Sequence, residues 1–353
     1  MGRARKQSLL KIKQRTSATS RKNKDPWVRR ALKAGWRNGS AESAETAEKK
    51  LHFYESSLQL SFVEWMNANI NSRPGYALMK RLATAYVQGF NKGKGSSENG
   101  VPLLLQGTAA AVVCASSEED SLHDMLNELE RLPLQEIIVV LNGCRDNSYT
   151  ISHSHPLVTV VYYPELLGHD VGRSIGARLT GADAVLFCDG DMVIPAEHLA
   201  PFLYAVDSGC DAALNDLNGL LPLFMHQDEL THCKSFLNMA LGRSDLGANS
   251  LTAVPHALSG RLIREMDVRH LIVPPKAQAL AILEGYRVEA VHTVDVFSGN
   301  RKREGNVGKG NAVADMIIGD HAEALDEILK RRSVSGSMRS LSRMDVAMQR
   351  NAI

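Results

Sequence analysis

From about residue 101 onward, hydrophobic positions come in short continuous runs, and amphipathic stretches lie between the runs. The runs cover residues 109–114, 136–141, 158–162 and 184–188. Continuous apolar runs of this length are typical of strands that are buried on both faces of a parallel sheet. The stretches 122–129 and 172–180 have the periodicity of helices. This alternation predicts an α/β fold, with a mostly parallel, Rossmann-like sheet flanked by helices and joined by right-handed crossovers.

The first hundred residues have a different, helical pattern. Residues 41–53 are rich in Ala, Glu and Lys, residues 58–66 carry an apolar stripe, and a third helix follows the Pro74-Gly75 break. Gly, Ser, Asn and Lys dominate residues 91–100, a composition typical of linkers. We therefore expect a helical extension and linker over 41–100, an α/β domain over 101–331 and a flexible tail over 332–353.

Charge is unevenly distributed along the chain. Of 41 Lys and Arg and 39 Asp and Glu, the first 37 residues hold thirteen basic residues and one acid, Asp25, a charge of +12. The remainder has 28 basic and 38 acidic residues, a charge of −10. We expect residues 1–40 to form a disordered basic arm that includes a short amphipathic helix at 27–36. The arm binds a membrane surface or a polyanion, or it has no partner.

The cysteines indicate a reducing compartment. There are five, an odd number, and none forms a CxxC pair, which is typical of free thiols in a cytoplasmic protein. No apolar run approaches the ~18 residues of a membrane span, and the charged N-terminus lacks the apolar core of a secretory signal. The expected location is the cytoplasm, with peripheral attachment to a membrane through the arm as an alternative.

The run 184–188 ends in Asp189-Gly190-Asp191, which places two carboxylates at the end of a predicted strand. Oxygen ligands suit Mg²⁺ and Mn²⁺, and these cations can neutralise a diphosphate. The carboxyl ends of strands are also where α/β sheets bind ligands. An isolated Asp-x-Asp is more often a solvated acidic turn, so both interpretations stay open at this point.

Four segments occur together in the order and spacing of a known family. They are Ala115-Ser116-Ser117-Glu118-Glu119, EIIVVLNGCRDNS at 136–148, GHDVGRSIGA at 168–177 and FCDGDM at 187–192. Over roughly residues 108–200 the chain resembles a family-2 glycosyltransferase with the GT-A fold. The resemblance implies metal-dependent transfer of a sugar from a UDP-linked donor to the hydroxyl of an unknown acceptor, which is a glycan, a lipid-linked molecule or a protein. The alternative is a non-catalytic nucleotide-sugar or polyanion-binding protein on the same fold.

The resemblance also implies roles for single residues. Ala115 and Glu118 correspond to contacts with uracil and ribose, and Arg173 to a contact with the nucleotide or its diphosphate. Asn142 stands where the family usually has an aspartate near the base, so guanosine and thymidine remain alternatives to uridine. The implied nucleotide-sugar-binding residues are Ala115, Ser116, Glu118, Asn142, Gly143, Asp146, Gly168, Gly172, Arg173, Asp189, Gly190, Arg301 and Arg303. The implied metal ligands, for Mn²⁺ or Mg²⁺, are Asp189, Asp191 and His292; a packed or surface histidine is the alternative for His292.

The catalytic base departs from the family's pattern. Where many inverting members have Glu-Asp at the start of a late helix, this chain has Val273-Pro274-Pro275-Lys276, without a carboxylate. Asp245 is our predicted base; a retaining mechanism and lost activity are the alternatives. Residues 298–311 combine glycines with Arg301, Lys302 and Arg303, which predicts a lid that closes on the diphosphate or, alternatively, a basic loop without function.

Overall fold

The structure of the protein, a computed structural model, describes residues 25–42, 52–297 and 312–334. Most of the helix expected over 41–53, the basic residues before Asp25 and most of the tail expected over 332–353 lie outside these residues. The lid expected over 298–311 also lies outside them, together with Arg301 and Arg303.

Across the described residues, seven strands form one sheet in the order β3-β2-β1-β4-β6-β5-β7. The strands are β1 (Ala109–Ala115), β2 (Glu136–Asn142), β3 (Val158–Tyr163), β4 (Ala184–Asp189), β5 (Ala212–Asn215), β6 (His256–Ser259) and β7 (Val288–His292). Neighbouring strands are parallel except at β6, which runs antiparallel between β4 and β5. The first four strands are the predicted apolar runs, and the mostly parallel α/β sheet is confirmed.

Helices pack on both faces of the sheet. They are α1 (Pro26–Ala41), α2 (Ser57–Asn69), α3 (Tyr76–Lys94), α4 (Leu122–Glu130), α5 (Ser148–His153), α6 (Val171–Leu179), α7 (Ala196–Asp207), α8 (Glu229–Ala240), α9 (Gly260–Glu265), α10 (Pro274–Leu283) and α11 (Ala312–Val334). The first three helices of the described residues, α1 to α3, form a further layer that we call the helical layer. Among the helices that the structure describes, none is long and apolar enough to cross a membrane.

Glycines let α6 lie close against β1. A Cβ at Gly176 would lie 2.3 Å from Cγ1 of Val112, and one at Gly172 would lie 2.9 Å from Sγ of Cys114. A larger residue would therefore push the helix away from the strand. This packing brings the start of α6 to the carboxyl end of β1, where the loops after β2 and β4 also arrive.

Glycines also bring α1 and α3 into backbone contact. A Cβ at Gly35 would lie 2.1 Å from the carbonyl oxygen of Tyr86, and one at Gly39 would lie 2.2 Å from that of Phe90. The glycines of α3 that meet the α1 backbone in the same way are Gly89 and Gly93. The contacts advance in the same direction along both helices, so α1 and α3 run parallel with their small-xxx-small faces together.

The position of α1 corrects the expected extent of the arm. The amphipathic pattern at 27–36 does form a helix, and Asp25 caps it by accepting from the backbone N–H of Trp27 at 2.9 Å. The helix continues to Ala41 and packs on α3, so it belongs to the helical layer and not to a disordered arm ending at residue 40. The charged residues of this pattern predict a solvated helix face, but small residues such as Ala31 are buried on the opposite face.

The helical layer shares a hydrophobic core with the sheet. The rings of Phe62, Trp65 and Tyr86 pack together in the same buried cluster as residues of β1 and β2. The buried amide of Gln59 donates to the carbonyl of Leu103 (2.8 Å) and accepts from the N–H of the same residue (3.1 Å). The layer is therefore bonded to the segment that leads into β1.

The expected linker over 91–100 begins as the last turn of α3, which ends at Lys94, and continues as a segment held by side-chain contacts. The side chain of Asn91 donates to the carbonyl of Glu98 (2.8 Å) and accepts from its N–H (3.0 Å). Lys94 forms an ion pair with the Glu98 carboxylate at 2.7 Å. Composition suggested a linker because Gly and Ser predominate, but these side-chain contacts fix the backbone.

Candidate functional site

A cleft of about 160 Å³ opens at the carboxyl ends of β1, β2 and β4. It is lined by Cys114, Ala115, Ser116, Glu118, Asn142, Leu166, Gly168, His169, Gly172, Arg173, Asp189 and Asp191. The fold thus brings nine predicted binding or metal residues together from the ends of separate strands. These nine are Ala115, Ser116, Glu118, Asn142, Gly168, Gly172, Arg173, Asp189 and Asp191.

The Asp189-Gly190-Asp191 turn lies against the end of β1. The N–H of Gly190 donates to the carbonyl of Cys114, and the hydroxyl of Ser121 donates to the carbonyl of Gly190, both at 2.8 Å. A Cβ at Gly190 would lie only 2.8 Å from the Cβ of Ala115. Glycine is needed for this approach, and the approach holds both carboxylates at the wall of the cleft.

Arg173 is a buried cation behind Asp189. Its guanidinium lies 2.8 Å from the carboxylate of Asp170 and 3.8 Å from that of Asp189, and it donates to the carbonyl of Leu251 at 3.3 Å. Burial lowers the pKa of Arg173, but Asp170 and Asp189 outweigh that effect and the pKa is raised. Arg173 lines the cleft as predicted, yet its charge is shared with two protein carboxylates, so the geometry gives it the role of holding Asp189.

Asn142 uses its amide to brace the loop after β3. Its Nδ2 donates to the carbonyl of Gly168 and its Oδ1 accepts from the N–H of Leu167, both at 2.8 Å. The neighbouring Gly143, with φ of +69°, turns the chain out of β2 in a conformation that favours glycine. Asn142 lines the cleft as predicted, and its two polar atoms contact the protein backbone; its contact with a base edge stays a prediction.

Asp146 joins two loops outside the lining of the cleft. Its carboxylate accepts from the backbone N–H groups of Glu119 (3.0 Å) and Ser148 (3.1 Å). Burial raises the pKa of Asp146, but the hydrogen bonds from Ser148 and Glu119 more than offset this and the pKa is lowered. Asp146, which the resemblance placed among the nucleotide-sugar-binding residues, thus fixes the loop and does not line the cleft.

Ser117, in the same loop, has a left-handed backbone with φ of +61°. Its hydroxyl accepts from the N–H of Arg145 at 3.1 Å, and its own N–H meets Sγ of Cys144 at 3.3 Å. A non-glycine residue in this conformation is strained and persists only where its surroundings fix it. The loop between Ala115 and Glu118 is thus held in shape beside the cleft.

The sequence reasoning missed a second acidic group at the edge of the cleft. Asp320 of α11 lies near Asp170 and near His169, which lines the cleft. Burial first, and then Asp170 and Glu323, raise the pKa of Asp320 to about 6, while His169 opposes the shift. For Asp170, the sequence does contain a signal, because Asp170 and Arg173 are three residues apart at the start of a helix. Asp320 belongs to a helix 150 residues later, and no local pattern connects it with this cleft.

Asp245, the predicted base, lies elsewhere. Both of its carboxylate oxygens pair with Arg243 (2.7 and 2.9 Å), and the side chain is 62% exposed. Arg243 also donates to the carbonyl of Val288 at the amino end of β7. Because β7 is parallel to β5 and, through β6, to β4, that end is the opposite edge of the sheet from Asp189. The prediction of Asp245 as the base is corrected on this ground.

His292 is not brought to the two aspartates. It ends the edge strand β7, and its Nε2 lies 3.0 Å from Nδ1 of His198, with the two rings stacked at 5.2 Å. Burial and then His198 lower the pKa of His292. Three strand spacings of about 4.8 Å separate β7 from β4, and the described residues contain no group of three His, Cys, Asp or Glu that could hold a metal ion. The predicted third metal ligand is therefore absent from its expected place.

The fold and the cleft define an α/β protein with a mostly parallel sheet and a candidate ligand site at the carboxyl ends of its parallel strands. Residues 110–216 match the family model for glycosyl transferase family 2. The matched stretch runs from β1 through β5 and contains every residue that lines the cleft. The resemblance inferred from the four sequence segments is thus confirmed.

Solved structures give a distant likeness. Glucosyl-3-phosphoglycerate synthase from Mycobacterium tuberculosis, in complex with Mn²⁺, uridine diphosphate and phosphoglyceric acid, is 15% identical over 62% of this chain and 78% of that chain, with a TM-score of 0.46. Mannosyl-3-phosphoglycerate synthase from Rubrobacter xylanophilus is 15% identical over 67% of this chain and 77% of that chain, also with a TM-score of 0.46. A comparison with curated proteins finds no match.

Proposed function

We propose that the protein is a metal-dependent glycosyltransferase that moves a sugar from a UDP-linked donor to an acceptor hydroxyl. The observation that carries the proposal is the cleft itself, in which Asp189 and Asp191 face the loop that contains Ala115 and Glu118. Carboxylates for a cation and a loop for a nucleoside are the two parts that donor binding requires. They meet here because β1 and β4 are adjacent and parallel.

The two aspartates fit a divalent cation that also binds the donor. Mg²⁺ and similar ions are commonly held by one or two carboxylates together with substrate phosphates and water. Asp189 and Asp191 supply two carboxylates at the wall of the cleft, and the described residues contain no group of three His, Cys, Asp or Glu that could hold an ion, which matches that pattern. When bound by Asp189 and Asp191, the cation would supply neutralisation of the charge on the departing diphosphate.

The remaining cleft residues position the donor. Ala115, Ser116 and Glu118 lie at the end of β1, where a nucleoside would sit, and Gly168 and Gly172 leave the backbone open on the facing side. In the transfer, the bond from the anomeric carbon to the diphosphate oxygen breaks and a bond to the acceptor oxygen forms. The acceptor proton passes to a base, and we do not assign that role to Asp245, which pairs with Arg243 and does not line the cleft.

The position of Asp245 is also the observation that favours the second candidate, a non-catalytic nucleotide-sugar-binding protein. Both candidates require the cleft to bind a nucleoside diphosphate with a divalent cation. They differ in whether diphosphate is released from the donor.

The test is incubation of the full chain with a panel of nucleotide sugars, Mn²⁺ and candidate acceptor alcohols, with release of nucleoside diphosphate as the readout. Release that D191A abolishes supports the transferase. Donor binding without release across the panel supports the binding protein, and failure to bind any nucleotide sugar contradicts both.

The five cysteines are free thiols, and a cytoplasmic location, which we also propose, would keep them reduced.

A further inference from the structure

The two faces of α1 have different surroundings. One face, formed by Ala31, Ala34, Gly35 and Gly39, is buried against α3. The opposite face is exposed to solvent along the whole helix. The large residues of the exposed face are Arg29, Arg30, Leu32, Lys33, Trp36 and Arg37.

The exposed face of α1 is strongly cationic. It has four basic residues and no acidic residue. The two acids that flank the helix are engaged with other partners, because Asp25 pairs with Arg81 at 2.7 Å and Glu42 pairs with Lys94 at 3.0 Å. The 24 residues before Asp25 contain nine Lys and Arg and no Asp or Glu. The face therefore lies within the most positive part of the chain.

Two large apolar side chains lie on the same exposed face, beside these cations. Leu32 is 41% exposed and Trp36 is 50% exposed, and residues four apart are neighbours on a helix surface. Polyphosphate needs only cations, and a single-stranded nucleic acid gains from stacking on a tryptophan but little from an exposed leucine. A bilayer surface uses both, because apolar side chains enter the boundary between headgroups and acyl chains while Lys and Arg meet anionic lipids.

We propose that the exposed face of α1 binds an anionic lipid bilayer, with the helix parallel to the surface and with Leu32 and Trp36 entering the interfacial layer. Gly35 and Gly39 fix the orientation of this face, because backbone contact with α3 prevents α1 from rotating. The face is thus formed before any lipid is present. This inference is independent of the proposed transferase activity, since α1 contributes no residue to the cleft.

The test measures co-sedimentation of the full chain with sucrose-loaded vesicles of phosphatidylcholine alone and of phosphatidylcholine with about 30% phosphatidylglycerol. We expect binding to the anionic vesicles that weakens as salt is raised. The double variant L32E/W36E should lose at least about tenfold in partitioning, a change of ~1.4 kcal/mol. The matched control is L179E, because Leu179 is 54% exposed at the end of α6, on the other face of the sheet.

A spectroscopic readout separates insertion from simple charge attraction. W36F should keep most of the vesicle binding, but it should lose most of the quenching of tryptophan fluorescence by brominated lipid. Trp65 is buried and Trp27 is partly covered by Arg30, whose guanidinium lies 4.9 Å from the ring centroid.

Three results would overturn the proposal. These are unchanged binding by L32E/W36E, an equal loss by L179E, or attachment to polyphosphate but not to anionic vesicles. Circular dichroism and nucleotide binding of each variant show whether it is folded. Loss of vesicle binding with nucleotide binding retained supports the proposal whatever the catalytic outcome.

Discussion

The guanidinium of Arg173 lies 2.8 Å from the carboxylate of Asp170, and both side chains are buried. The same guanidinium reaches toward Asp189 at 3.8 Å. Arg173 therefore connects the start of α6, where Asp170 lies, to Asp189 at the wall of the cleft. The ion pair is therefore both a structural element and the support of a proposed metal ligand.

Removing the Arg173 cation should destabilise the protein. R173A leaves Asp170 buried without its partner, and breaking a buried pair in this way costs about 3–5 kcal/mol. R173K, which retains the charge but not the planar fork, should lose less. Urea denaturation of the three proteins measures the difference. Equal stability of R173A and the parent would show that Asp170 has another way to be satisfied.

Asp191 should be needed for cation-dependent nucleotide binding. By titration calorimetry with uridine diphosphate and Mn²⁺, D191A should bind at least about tenfold more weakly, ~1.4 kcal/mol. The structure offers a matched control in D245A, which removes an aspartate from the opposite edge of the sheet and should bind as the parent does. Unchanged Mn²⁺-dependent affinity in D191A, or a comparable loss in D245A, would contradict the placement of the site.

Alanine at Gly35 should destabilise the helical layer. In an exposed helix a glycine-to-alanine change is favourable by about 1 kcal/mol, but at Gly35 the new methyl would lie 2.1 Å from the Tyr86 carbonyl oxygen. The two helices would have to separate, so we expect the opposite sign and a loss of about 1–3 kcal/mol. A Cβ at Gly319 of α11 would meet no neighbouring element within 4 Å, and G319A is the control that should stabilise. A stabilising G35A would show that the helices are not in backbone contact.

Asp320 should make stability depend on pH in the acidic range. Its folded pKa of about 6 lies above its ordinary value of 3.8, so the folded state binds more protons than the unfolded state between these values. Stability is then lost as pH rises from about 4 through about 6. D320N removes this dependence and should be more stable than the parent at a pH of about 7.5, on the order of 1 kcal/mol after allowance for solvent screening. Thermal unfolding from about pH 4 to about pH 8 measures the slope; parallel curves for both proteins would mean that Asp320 has an unshifted pKa.

The sequence was most informative where a side chain's position follows from the strand that carries it. Val185 to Cys188 form a continuous apolar run, so β4 and the turn after it could be placed, and with them Asp189 and Asp191. Asp245 and His292 were harder, because their positions depend on the order of the last strands in the sheet. That order is set by the antiparallel β6, and its four residues, 256–259, are too short a run to predict a strand from sequence.

The contact between α1 and α3 illustrates a second limit. The close approach of the two helices depends on glycines, such as Gly35 and Gly89. Because glycine has no side chain, the hydrophobic periodicity of the sequence does not predict this contact. The linker expected at 91–100 was misinterpreted for a related reason, since the backbone is fixed there by Asn91 and not by any apolar residue. Most residues that line the cleft could be predicted from local sequence patterns. The packing of the helical layer could not, because it depends on which helix backbones are in contact.

The double hydrogen bond between Gln59 and Leu103 bears on how this chain can be shortened. An edge of the core that is covered by α2 and α3 would face water in any fragment that begins at residue 101, and Leu103 would lose both of its bonds to Gln59. Proteolysis or recombinant trimming at the glycine-rich segment before β1 should therefore yield an aggregation-prone remainder and not an autonomously folded α/β domain. We therefore expect the smallest soluble piece to begin upstream of α2, with α2 and α3 kept together with the sheet.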